Sequence, residues 1–315
     1  MKVFLLCSVF LSFFAQSSFA LLLFGFDNYT NTTAPEGVDL PWDSAARVAN
    51  FNGVSASSPA GSAVHLGWGY MLTANHVANR SHVSFDGITW YARDTSFTPV
   101  QVAAGVDLKI FRLTETPQVS AVVLHSGGGE NNNLGYHIGW GRGRANDDHI
   151  GENVQAFGDD STIAKRWGTN VVKAVQQTSW TVSSTSYTQQ TLVNVLGNSE
   201  GSNEAALATY DSGSPFFQVI NNTIVLSGIG GAITQQTAGS ATFGADRLTG
   251  ANQGDRNYLI QIGPYSDAIM AIIPEPSAFV FIFGFVGFFI VLSARKRSLC
   301  PLGLLHHRGA ISNRE

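Results

Sequence analysis

The chain has 315 residues, of which 44% are hydrophobic and 13% charged, and its formal net charge is −4. That is too apolar for a disordered chain and too mixed for a polytopic membrane protein. The mild negative balance gives no footing for binding nucleic acid or another polyanion. With 33 glycines against 10 prolines and plentiful Ser, Thr and Asn, the composition fits short strands joined by many turns, and one closed all-β enzyme of ~200–250 residues suits the length.

Residues 1–20 carry one Lys, an apolar stretch and Ser18-Phe19-Ala20, the small-x-small pattern of a secretory signal peptide cut after Ala20. An uncleaved anchor is the alternative, because Leu21 to Phe24 prolong the apolar run. Residues 21–45 read as a loose leader. The two cysteines, Cys7 and Cys300, stand at the two ends with none between, so the domain must be stabilised by its own core rather than by a disulfide.

Strands are predicted at Ser62–Leu66, Tyr70–Thr73, Val83–Trp90, Leu108–Leu113, Val119–Leu124, Gly135–Trp140, Val171–Val182, Thr188–Val195, Thr223–Ile229 and Tyr258–Ile262, with one helix at Ser266–Ile273. The alternation and the turn-rich spacers favour an all-β barrel or sandwich over βα units. No repeat has solenoid spacing. Trp140 and Trp167 read as packing residues, and Ser126–Gly129 as a loop rather than a phosphate cradle, because no Lys-Ser/Thr follows it.

Three segments carry chemistry. Leu72-Thr73-Ala74-Asn75-His76 runs a strand into a His, Asp107-Leu108-Lys109-Ile110 places an Asp before an apolar strand, and Tyr210-Asp211-Ser212-Gly213-Ser214-Pro215 sets a Ser in a tight loop. A Ser hydroxyl needs a base to take its proton as it attacks, His titrates near neutrality, and a buried carboxylate fixes the imidazole tautomer. Taken singly, each residue fits an ordinary turn or core role; their joint occurrence in one order points to catalysis.

In residue type and chain order these segments resemble the motifs of the chymotrypsin/trypsin-like serine proteases, from near Arg47 to Ile273. Gly139-Trp140-Gly141 and Leu226-Ser227-Gly228-Ile229-Gly230-Gly231 add weaker echoes. The resemblance implies two six-stranded β-barrels with a short C-terminal helix over residues 46–273. It also implies a His76, Asp107, Ser212 triad and an oxyanion hole from the N–H groups of Tyr210 and Ser212. The substrate pocket would involve Ala206, Gly230 and Gly231, with a neutral or apolar side chain preferred over Lys or Arg, and no metal or organic cofactor would be needed. Tyr210 departs from the family's Gly. Asp211 would take the place of the Asp that pairs with a new N-terminus after zymogen cleavage, with Arg47-Val48 as a candidate cut, or would bond local backbone N–H groups.

The C-terminal end carries Pro274-Glu275-Pro276, an apolar run from Ala278 to Leu292, and Arg295-Lys296-Arg297. It resembles the PEP-CTERM sorting signal, over 274–297, in which a single transmembrane helix is recognised by an exosortase; a plain single-span anchor is the alternative. Residues 298–315 form an additional basic and polar tail. The sequence therefore predicts an exported serine endopeptidase of the Gram-negative envelope acting on protein or peptide substrates. It is held transiently at the membrane by its C-terminal helix, then lies at the cell surface or outside the cell. A catalytically impaired protease-fold surface or matrix protein, and an esterase with the same triad, are the alternatives.

Overall fold

The computed structural model describes residues 21–146, 150–197 and 201–274. The expected signal peptide, the expected sorting helix with its basic cluster and the tail lie outside the described residues. Among those described, no helix is long and apolar enough to cross a membrane. The chain divides into two units, Met1–Ile272 and Ile273–Glu315, and every strand belongs to the first.

In chain order the strands are β1 (Leu22–Leu23), β2 (Ala45–Phe51), β3 (Ala56–Gly67), β4 (Tyr70–Ala74), β5 (His82–Ser84), β6 (Tyr91–Ala92), β7 (Val100–Gln101) and β8 (Leu108–Arg112). There follow β9 (Leu134–Gly139), β10 (Val154–Ala156), β11 (Arg166–Val182), β12 (Thr185–Val195), β13 (Ala205–Ala206), β14 (Pro215–Ile220), β15 (Thr223–Ile233), β16 (Ser240–Thr242), β17 (Arg256–Gln261) and the helix α1 (Ser266–Ile272). The strands β11-β12-β17-β15-β14-β9 close a six-stranded barrel, and β6-β5-β2-β3-β4-β8-β7 form a seven-stranded sheet. One of the two expected six-stranded barrels is thus a closed barrel, and the other is a seven-stranded sheet. The residues just after β6 and β8 meet at an Arg93–Leu113 bridge, flanked by Asp94 N–H to Arg112 O at 2.8 Å and Thr114 N–H to Ala92 O at 3.0 Å.

The reason the first sheet stays irregular is local. The predicted strand Val83–Trp90 breaks at Asp86, whose carboxylate accepts the N–H groups of Ile88 at 2.8 Å and Thr89 at 2.7 Å. Such an Asx turn competes with the ladder for the same backbone donors. Val119–Leu124 is not a ladder strand either. It crosses between the sheets in extended form, with Val122 N–H to His65 O at 3.2 Å and Leu226 N–H to Val123 O at 2.8 Å.

The first residues after the expected cut are packed, not loose. Leu21, Leu22 and Leu23 are all buried, and β1 pairs with β13 through Leu22–Ala206 and Leu23–Ala205. The period of two in a strand explains how three successive leucines can all be covered. Leu21 and Leu23 join the barrel core with Val172, Leu192, Phe216 and Leu259, while Leu22 enters a second cluster with Leu196, Ala206 and Phe243. Each buried Leu contributes roughly 1.5–3 kcal/mol, so this segment belongs to the fold.

Candidate active site

Register alone brings His76 and Asp107 together. Strands β4 and β8 pair antiparallel with Ala74 opposite Leu108, so His76, in the turn leaving β4, lies beside Asp107, which enters β8. Asn75 N–H donates to Asp107 O at 3.1 Å, and His76 N–H to Asp107 Oδ1 at 2.9 Å. The ring follows, with His76 Nδ1 at 2.6 Å from Asp107 Oδ2. Asp107 is fully buried, and the His76 side chain keeps 14% of its exposure. This leaves Nε2 as the ring nitrogen turned away from the carboxylate, as a general base requires.

Lys109 braces the same turn. Its Nζ donates to Asn75 O at 3.2 Å, to Asn79 Oδ1 at 3.1 Å and, more closely, to Val77 O. Burial pushes this amine down to about 8, with Asp107 pulling it up.

Ser212 arrives from the barrel side on the turn before β14. Its carbonyl accepts Ser62 N–H at 2.8 Å, and Gly213 N–H donates to Gly230 O at 2.8 Å. Gly213 has φ +88, and a Cβ there would meet Ser62 O at 2.0 Å and Thr73 Oγ1 at 2.2 Å, so only Gly allows the loop to lie on β3 and β4. A Cβ on Gly61 would meet Ser212 O at 2.7 Å and Val77 Cγ2 at 2.8 Å. The Ser loop and the residue after His76 therefore flank the same glycine. Ser62 Oγ ties this junction, donating to Tyr210 O at 3.1 Å and accepting Trp140 N–H at 3.1 Å. No hydrogen bond joins Ser212 Oγ to His76 among the described residues.

Tyr210 adopts φ 76, the left-handed region where a side chain is strained, with its ring 5.2 Å from the Arg142 guanidinium. Arg142 is itself held by Asp160 at 2.5 Å. Among the described residues neither the Tyr210 N–H nor the Ser212 N–H has an acceptor, whereas the neighbouring N–H of Asp211 is used by Ala208 O at 3.0 Å.

Asp211 is fully buried and accepts Gly141 N–H at 2.7 Å and Ala208 N–H at 2.8 Å. Leu21 N–H is a third backbone donor to it, and burial pushes the carboxyl up to about 7 against these bonds and the Arg166 guanidinium. Arg47-Val48 lies inside β2, where Val48 pairs with Gly61 and with Val83. The backbone that reaches Asp211 is that of Leu21. Of the two expectations for Asp211, the one in which it bonds backbone N–H groups is what the described residues show.

The three expected pocket residues are all buried. Ala206 is fully buried and pairs with Leu22. Gly230 is backbone-paired to Gly213 and Ser214, and Gly231 lies under the Trp180 ring. The residue that sequence reasoning missed is Trp180, whose indole N–H donates to Asp107 Oδ2 at 2.8 Å. Its only sequence signal is an aromatic inside a polar, alternating strand. Among the described residues no cluster of His, Cys, Asp and Glu is set to hold a metal ion.

No protein-family model matches the chain, and no curated protein matches it. Among solved structures, the chain is similar to the inactive form of the Rv3671c protease of M. tuberculosis H37Rv at 14% identity and TM-score 0.44, covering 74% of this chain and 91% of that one. It is similar to the HtrA-type protease AlgW with a decapeptide at 16% identity and TM-score 0.47, covering 74% and 65%. The MamO protease domain of Magnetospirillum magneticum stands at 14% identity and TM-score 0.43, covering 74% and 97%.

Proposed function

We propose that the protein is an exported serine endopeptidase that hydrolyses peptide bonds through an acyl-enzyme on Ser212. The observation that carries the reading is the 2.6 Å His76–Asp107 contact with a buried carboxylate, beside a Ser loop that shares Gly61 with Val77 and whose Tyr210 and Ser212 N–H groups are left without acceptors among the described residues. In this reading His76 Nε2 takes the Ser212 proton as Oγ attacks the carbonyl carbon. The two N–H groups receive the oxyanion, His76 returns the proton to the leaving amine, and water then releases the acid. A neutral or apolar substrate side chain is part of the same reading, because Ala206, six residues before Ser212, offers no carboxylate to a Lys or Arg.

Export is part of the same reading. Removal of residues 1–20 turns the Leu21 amide into an ammonium beside the buried Asp211 carboxylate, so the cut that frees the protein also gives the residue before Ser212 its cation. After export, an exosortase-type enzyme acts on the membrane-held 274–297 signal and the domain reaches the surface or the medium.

A second reading, a protease-fold surface module without activity, is favoured by the Tyr210 backbone strain and by the absence of a Ser212–His76 hydrogen bond. Labelling with a fluorophosphonate decides between them. The wild-type protein is expected to label, and Ser212→Ala and His76→Ala to abolish labelling. A folded wild-type protein that stays unlabelled removes the endopeptidase reading in favour of the inactive module.

A further inference from the structure

Strands β11 and β12 form a hairpin longer than the barrel needs. Its outer part, from Gln176 to Gln190, has two unlike faces. Ser179, Thr181, Ser186 and Thr188 are exposed and pair as hydroxyls, Ser179 with Thr188 at 2.7 Å and Thr181 with Ser186 at 2.9 Å. On the other face, Tyr187 and Gln189 are buried within a stretch whose neighbours are open to solvent. In a strand such alternation means that one face has a partner. The partner is the sheet that carries His76 and Asp107.

Three side chains of the hairpin and one of its backbone N–H groups reach the segments that carry His76 and Asp107. Tyr187 Oη accepts from Asn75 Nδ2 at 3.2 Å, Gln189 Oε1 accepts the Asp107 N–H at 3.2 Å, and Thr188 N–H donates to Gly105 O at 2.9 Å. Trp180, directly opposite Tyr187 in the ladder, places its indole N–H on Asp107 Oδ2 at 2.8 Å. That oxygen is the one His76 Nδ1 uses at 2.6 Å. The fit on the far side is equally close, since a Cβ on Gly231 would meet Trp180 Cζ2 at 2.6 Å.

We propose that Trp180 is a positioning residue of the triad. Its N–H fixes the Asp107 carboxylate in the rotamer that faces the imidazole, and the β11–β12 hairpin thereby completes a site whose His and Asp come from the other sheet. The proposal rests on the endopeptidase reading for its catalytic consequence, but the orientation of Asp107 is a property of the folded chain. A carboxylate held at one oxygen by the backbone N–H of His76 and at the other by His76 and Trp180 has no free rotation. Without the indole N–H, Oδ2 is held by the imidazole alone.

The test separates N–H from ring. In the full chain, Trp180 is replaced by Phe and, separately, by its benzothiophene analogue, which keeps the bicyclic shape and lacks the N–H. Both changes are expected to lower kcat about tenfold or more with KM within about twofold. Both are also expected to shift or broaden the low-field proton resonance of the His76–Asp107 hydrogen bond. That resonance is read without turnover, so it judges the positioning role even if Ser212 proves unreactive to fluorophosphonate and the endopeptidase reading fails. An unchanged resonance, or full kcat in the benzothiophene protein, overturns the proposal. The first would show that Asp107 keeps its orientation alone, and the second that only the ring's packing matters.

Discussion

Asp211 and Leu21 show most sharply what single residues decide. Burial raises the Asp211 carboxyl from 3.8 to about 7. A folded-state value above the unfolded one contributes stability that is full below about pH 4 and lost as pH rises through about 7. A charged Leu21 amine opposes that loss, because an adjacent cation favours the carboxylate. A chain beginning at Leu21 is therefore expected to resist urea better at pH 7 than one with an extra residue before Leu21. Asp211→Asn should erase the difference, and equal urea midpoints with Asp211 intact would sink the idea. Tyr210 is a different case. The sequence marked it as a departure, and the structure adds how the departure is tolerated, with φ 76 and the ring against Arg142. That contact joins residues 68 positions apart, and no local rule could foretell it.

Among the elements, the β11–β12 hairpin is the one that sequence periodicity half disclosed. The runs Val171–Val182 and Thr188–Val195 were legible as strands, because β-branched and aromatic residues alternate with polar ones. The ladder extends to Thr185, and the turn falls on Ser183 and Ser184 at φ 46 and 69. Two positive φ values define a turn that favours Asn-Gly. Replacing Ser183 with Asn and Ser184 with Gly together should raise stability by about 1 kcal/mol in urea unfolding, by relieving a left-handed conformation, and leave activity intact. A loss of stability would mean that the serine side chains serve the tip in another way. Other elements were hidden for identifiable reasons. Strand β14 begins at Pro215, and its first four residues, Gln218 among them, are all buried, so it lacks the period-two signal. Strand β1 is two residues long and is recognisable only beside its partner β13.

In the whole molecule, the site lies where the seven-stranded sheet and the barrel meet, and polar groups outside the β11–β12 hairpin also hold that junction. Ser62 Oγ links Tyr210 O and Trp140 N–H. Trp140 Nε1 donates to Ala45 O at 3.2 Å, and Lys165 Nζ donates to Phe85 O at 3.0 Å while lying 4.6 Å from the Trp42 ring. Ser62→Ala removes one donor and one acceptor from a buried site and is expected to cost about 1–2 kcal/mol in urea unfolding. It should slow fluorophosphonate labelling of Ser212 more than that cost implies, because the Tyr210 carbonyl loses its tether. Labelling at the wild-type rate would assign Ser62 to folding alone. By itself the sequence determined the all-β class and the absence of a disulfide in the domain, because those follow from composition, alternation and the placing of two cysteines, and motif order singled out His76, Asp107 and Ser212, of which the structure joins His76 and Asp107. Only the tertiary structure decided that one sheet closes and the other does not, that Leu21 reaches Asp211, and that Trp180 reaches Asp107. Each of these depends on contacts between segments far apart in the chain, set by register and burial rather than by any local pattern.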